Sequence, residues 1–166
     1  MTDLRLPKAP RRVKTRRRAL AALGLGLALL APGPARAAPL VQVRAPWFRY
    51  LLASLPAGGY LTIVNTGATP VVLTGATSPG CAMLMLHRTE TTGGTDRMVG
   101  VRQVSIPAHG QVRFAPGGYH LMCMEPKMHL GQVVPLTLHF ADGGTVTVRA
   151  PVHGANFAPA AAPKQP

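Results

Sequence analysis

From Tyr60 onward the chain never runs far between turn-forming residues, and its apolar side chains recur at every second position. Tyr60-Leu61-Thr62-Ile63-Val64 stops at Asn65-Thr66-Gly67, and Val71-Val72-Leu73-Thr74 stops near Ser78-Pro79-Gly80. Leu136-Thr137-Leu138-His139-Phe140 and Thr145-Val146-Thr147-Val148 flank Asp142-Gly143-Gly144, which reads as a hairpin. A period of two sends alternate side chains to opposite faces of a strand, whereas an amphipathic helix needs a period of about 3.6. No segment of this body meets the second condition. The pattern predicts an all-β chain, a single antiparallel β-sandwich of Greek-key type.

The N-terminus obeys a different logic. Arg11, Arg12, Lys14, Arg16, Arg17 and Arg18 precede an apolar stretch from Ala19 to Leu30, and Ala35-Arg36-Ala37 follows. This is the order of a secretory signal, too short in its apolar part for a comfortable membrane span, and it predicts a cleaved leader over 1–37. The run Thr15-Arg16-Arg17-Arg18 fits a twin-arginine route as well as the general one. The leader carries nine Lys or Arg against Asp3 alone, +8 of the formal +13, and so +5 remains from Ala38 onward. The high positive charge is therefore mostly leader. No basic stripe interleaved with aromatics survives beyond it, which excludes nucleic-acid binding as the expectation. The remainder divides into one domain, 38–155, and an Ala/Pro-rich tail, 156–166, read as disordered. An exported chain belongs in an oxidising compartment, where Cys81 and Cys123 are a candidate disulfide pair.

Chemistry concentrates in His and Met. In Met83-Leu84-Met85-Leu86-His87 the alternation puts the leucines on one face and Met83, Met85 and His87 on the other. After the glycine turn Gly117-Gly118, His120 and Met122 share a face and Leu121 takes the opposite one. Met98 follows the segment Thr92-Gly93-Gly94-Thr95 and is read as loop-borne. His87, Met98, His120 and Met122 together are a neutral set of two imidazoles and two thioethers, and soft sulfur donors select Cu(I) over zinc, magnesium or calcium. Met85 and Met124 are candidate auxiliary donors on the same face. Met128 and His129 are a weaker candidate pair. Glu90, Asp96, Glu125 and Asp142 show no paired arrangement and no nucleophile has a spaced base, so an enzyme is not expected.

The spacing of His87, Met98, His120 and Met122, with Val104-Ser105-Ile106-Pro107-Ala108-His109-Gly110 ahead of Pro116-Gly117-Gly118-Tyr119-His120-Leu121-Met122, resembles the periplasmic copper chaperone family called PCuA(C). Further likeness runs through Trp47, through 58–68 and through 133–148. The resemblance implies a cupredoxin-like β-sandwich that binds Cu(I) through His87, Met98, His120 and Met122. It also implies delivery to the copper-bearing subunit of cytochrome oxidase, at its CuA centre, beside a Sco-type thiol protein, with contact to membrane proteins only at their periphery. Other readings of the residues are an electron-transfer cupredoxin using Cys123, a copper storage or resistance protein, and a metal-independent interaction module. Trp47 reads as core, and His109, His139 and His153 as solvated side chains.

Overall fold

The computed structural model describes residues 40–158, and these form ten strands with no helix. Residues 1–39, with the expected leader, and residues 159–166 lie outside the described residues. In chain order the strands are β1 (Val41–Arg49), β2 (Ala57–Asn65), β3 (Val71–Thr77), β4 (Cys81–Thr92) and β5 (Thr95–Gly100), then β6 (Val104–Ile106), β7 (Gln111–Phe114), β8 (Tyr119–Pro126), β9 (Val133–Phe140) and β10 (Thr145–His153). They hydrogen-bond in the order β5-β4-β8-β7-β2-β1-β10-β9-β3-β6, with β8 also pairing β2. One buried cluster draws on both halves of this order. Phe48, Ile63, Leu86, Phe114 and Leu121 come from one half, and Leu73, Ile106, Leu136, Leu138 and Val152 from the other. The alternation explains the layering, since every strand but β5 turns side chains of one face into that shared core.

Pairing is antiparallel except at two places. The first strand meets the last in parallel at Phe48↔Val152 and Arg49↔His153, and this contact joins the halves. A single parallel pair, Phe114↔Tyr119, spans the turn between β7 and β8. The sandwich is antiparallel apart from these two short contacts, the first of which brings together strands that no hairpin connects.

Two of the hairpins turn on adjacent glycines. β4 and β5 are joined by only Gly93 and Gly94 at φ 59° and 79°, the left-handed pair that suits the twist of a two-residue hairpin. The segment read as a loop carrying Met98 is therefore a tight turn, and Met98 lies within a regular strand opposite Thr89. The Asp142-Gly143-Gly144 turn joins β9 to β10, with the Asp142 carboxylate accepting from the Gly144 N–H at 2.8 Å.

At the C-terminal end the domain continues past 155. Phe157 stacks on His153 at 3.6 Å between ring centroids and meets Trp47 edge-on at 4.9 Å. Trp47 is buried, but beside Tyr60 and Phe157 and apart from the central cluster. His153 is thus a packing partner of an aromatic group. Phe157→Ala is expected to cost about 1 kcal/mol, the usual worth of an aromatic pair. Because Trp47 is the single tryptophan, its emission should move to longer wavelength; unchanged emission would contradict the contact.

Candidate metal centre

Register sets the centre. β4 and β8 run antiparallel with His87 directly opposite His120 and Met85 directly opposite Met122. Directly opposed residues project to the same side of the sheet, with Cβ atoms about 5 Å apart. The two rings meet edge to face, centroids 5.8 Å apart. Inward neighbours Leu86 and Leu121 are buried in the core, so alternation forces both imidazoles onto the outer face.

On the other side of β4, Gly100 of β5 stands opposite His87, and Met98 stands one side-chain step away opposite Thr89. Gly100 leaves the space beside His87 open: a Cβ there would reach 3.9 Å from the ring Nε2. Met98 is 61% exposed and borders the same cleft as His120 and Met122. The fold therefore gathers His87, Met98, His120 and Met122 on one outer face.

The hydrogen bonding of the rings indicates a missing partner. His120 Nδ1 lies 3.0 Å from the Gly118 carbonyl oxygen, and facing an acceptor it must carry the proton. That leaves Nε2 with a bare lone pair, buried and without a partner; Nδ1 of His87 is also buried and without a partner. Buried polar atoms are nearly always satisfied, and two unsatisfied ring nitrogens on facing strands suit a shared metal ion. The Gly118 carbonyl fixes the tautomer and ring orientation of His120, as the outer support of a metal-bound imidazole would. No group of three His, Cys, Asp or Glu side chains capable of holding a metal occurs among the described residues. The donors that the fold places on the same face as the two rings are the thioethers of Met98 and Met122.

The acid–base state agrees with ligation. Burial holds the His87 pKa below its ordinary value of 6.5, and the nearby His120 ring pushes it the same way. The neutral, ligating form thus persists into mildly acidic solution. Because the folded-state pKa is depressed, this group's contribution to stability is intact above about 6.5 and is lost as pH falls from there through the folded value. An NMR titration of the metal-free protein should place the His87 midpoint below 6.5. A midpoint above that value would contradict the described environment.

A cleft of about 160 Å³ opens beside the His120 ring. Three of its lining residues follow from register, since Arg49, Gly58 and Met122 stand side by side across β1, β2 and β8. Gly58 has no side chain, and the Tyr60 ring lies over it; a Cβ at Gly58 would come within 2.6 Å of the Tyr60 hydroxyl. Arg49 donates to that hydroxyl at 2.8 Å, and its guanidinium carbon sits 5.4 Å from the ring centre. Burial raises the Tyr60 pKa despite the arginine, so the phenol stays protonated at neutral pH. Sequence reading passed over Gly58, Tyr60, Gly100 and the Gly118 carbonyl. Only the glycines of Gly58-Gly59-Tyr60 and Gly117-Gly118-Tyr119 hinted at them.

Cys81 and Cys123 form a disulfide with Cα atoms 5.4 Å apart, and Cys123 lies fully buried on the core side. Met85 and Met124 share the outer face with the four candidate ligands. Met128 does not pair with His129: it is buried in the core while His129 is exposed. His109 sits exposed in a turn at φ 50°, and the His139 ring bonds the Thr77 hydroxyl at 2.9 Å.

A family model described as "Putative lipoprotein LpqE-like" matches residues 41–152, nearly the whole described domain. The chain belongs to the LpqE-like, or PCuAC, family. Within this family it is 36% identical over 122 residues to "Putative lipoprotein Lxx21020" of Leifsonia xyli subsp. xyli, covering 72% of this chain and 73% of that protein. Among solved structures, the copper-bound PCuAC domain from PmoF2 matches with a TM-score of 0.60 and 26% identity, over 72% of this chain and 97% of that one. The Cu(I) form of DR1885 from Deinococcus radiodurans matches with a TM-score of 0.57 and 31% identity, over 72% and 81%. The PCuAC fold is thus an all-β sandwich here as in those structures, and copper is bound by these relatives.

Proposed function

We propose that this PCuAC protein is an exported Cu(I) carrier of the bacterial periplasm, holding the ion through His87 Nδ1, His120 Nε2 and the sulfurs of Met98 and Met122. The observation that carries this reading is the pair of buried ring nitrogens, directly opposed in register and without partners. The copper-bound relatives support the choice of metal.

Each donor has a physical role. Thioether sulfur is neutral and needs no deprotonation, so it binds where a thiolate would be oxidised. Four neutral ligands leave the complex with the single positive charge of the ion, which limits how tightly it is held. A more thiolate-rich acceptor can therefore take it. Met98, the exposed donor, is the natural first ligand to let go. Protons compete for the imidazoles, so affinity falls as pH drops through the histidine range.

The acceptor proposed is the CuA centre in the copper-bearing subunit of cytochrome oxidase, with a Sco-type thiol protein as co-worker. An electron-transfer cupredoxin would need a thiolate from Cys123, and that sulfur is committed to the disulfide. The test is anaerobic titration of the purified protein with Cu(I) against a chelator, followed by mixing with a copper-free CuA domain. Stoichiometric uptake followed by appearance of the CuA absorption is expected. Uptake without release to that domain would assign the site to storage or resistance, and no uptake would overturn the carrier.

A further inference from the structure

The outer face of β4 and β8 does not end at the proposed centre. Beyond the His87↔His120 and Met85↔Met122 pairs the same register sets Met83 opposite Met124. Six soft donors therefore stand as three facing pairs, one after another along two adjacent strands. Successive pairs are two residues apart, about 7 Å along the strand. Within a pair the Cβ atoms are about 5 Å apart, a separation that two flexible thioether arms close readily.

Packing does not account for these methionines. The chain has seven, and Met1 aside, only Met128 belongs to the central cluster. Met83, Met85, Met122 and Met124 are absent both from that cluster and from the partly buried side chains packed on it, and Met83 is 54% exposed. On β10 and β7 the outward positions are polar: Thr145, Thr147 and Arg149, and Gln111 and Arg113. A single exposed methionine is ordinary on a protein surface, but two facing pairs beside two unpartnered imidazoles are a cluster of one chemistry.

We infer that Met83, Met124 and Met85 form a second Cu(I) site, adjoining the histidine pair. This inference rests on the carrier reading. Three neutral thioethers make an all-sulfur site selective for the cuprous ion and weaker than the centre that includes two imidazoles. Met85 lies between the two positions, facing Met122, so an ion can pass from one to the other without leaving the face.

The test is anaerobic Cu(I) titration of the purified protein, followed by the methyl signals of its methionines in NMR. The first equivalent should move Met98 and Met122; the second, at higher free Cu(I), should move Met83, Met124 and Met85. Met83→Leu with Met124→Leu should bind one equivalent in place of two, and these exposed or half-buried swaps keep side-chain volume. His87→Ala with His120→Ala should retain a weak equivalent whose X-ray absorption shows sulfur neighbours alone. One equivalent in the native protein, with Met83 and Met124 signals unmoved at excess Cu(I), would overturn the second site and leave the carrier standing. Absence of any uptake would overturn both.

Discussion

His120→Ala is expected to weaken Cu(I) binding by more than about 100-fold, since loss of even an outer supporting group commonly costs about 10- to 100-fold in metal affinity. The side chain lies over the outer face of β8, and its only hydrogen bond runs to the Gly118 carbonyl within its own turn. Its removal therefore leaves the β4–β8 backbone pairing and the Leu86–Leu121 core contact in place, and circular dichroism should stay native. Met98→Leu should cost less, because Met98 is exposed and the other three donors remain. Competition against a Cu(I) chelator at fixed pH measures both. Equal affinities of His120→Ala and the native protein would remove the imidazole pair from the site.

Loss of the disulfide should produce the largest change in stability. Cys81 and Cys123 are 42 residues apart in sequence, and closing a loop of that length restricts the unfolded chain by about 4 kcal/mol. Cys81→Ser with Cys123→Ser also places a hydroxyl at the fully buried position of Cys123, which adds to the cost. Thermal or urea unfolding of the oxidised, reduced and doubly substituted proteins should order them in that sequence of falling stability. Cu(I) affinity of the folded variant should change little, because the disulfide faces the core and the proposed copper ligands face outward. A large affinity loss in folded protein would bring cysteine sulfur back into the site.

The strands are legible because each of them alternates: Tyr60 to Val64 and Leu136 to Phe140 could bury one face only as β structure. The four candidate ligands are legible as residue types at a characteristic spacing. Their geometry is not, because register between β4 and β8 depends on side chains distant in sequence, and nothing local says that His87 faces His120. Met98 is misplaced for a local reason: two adjacent glycines read as a loop, yet with both at positive φ they make the tightest of hairpins. Asn65 reads as a turn residue. It is fully buried, donating to the carbonyls of Thr69 and Pro107 and accepting from Gly67. Phe157 is hidden by the Ala/Pro composition around it, although one aromatic group suffices to hold a chain end against Trp47.

The register that opposes His87 to His120 underlies the rest, and X-ray absorption of the complex with one equivalent of Cu(I) tests it most directly. Two nitrogen and two sulfur neighbours are expected in the native protein, one nitrogen fewer in His120→Ala and one sulfur fewer in Met98→Leu. A coordination shell without imidazole nitrogen, or one unchanged by both substitutions, would mean that the facing histidines do not hold the ion.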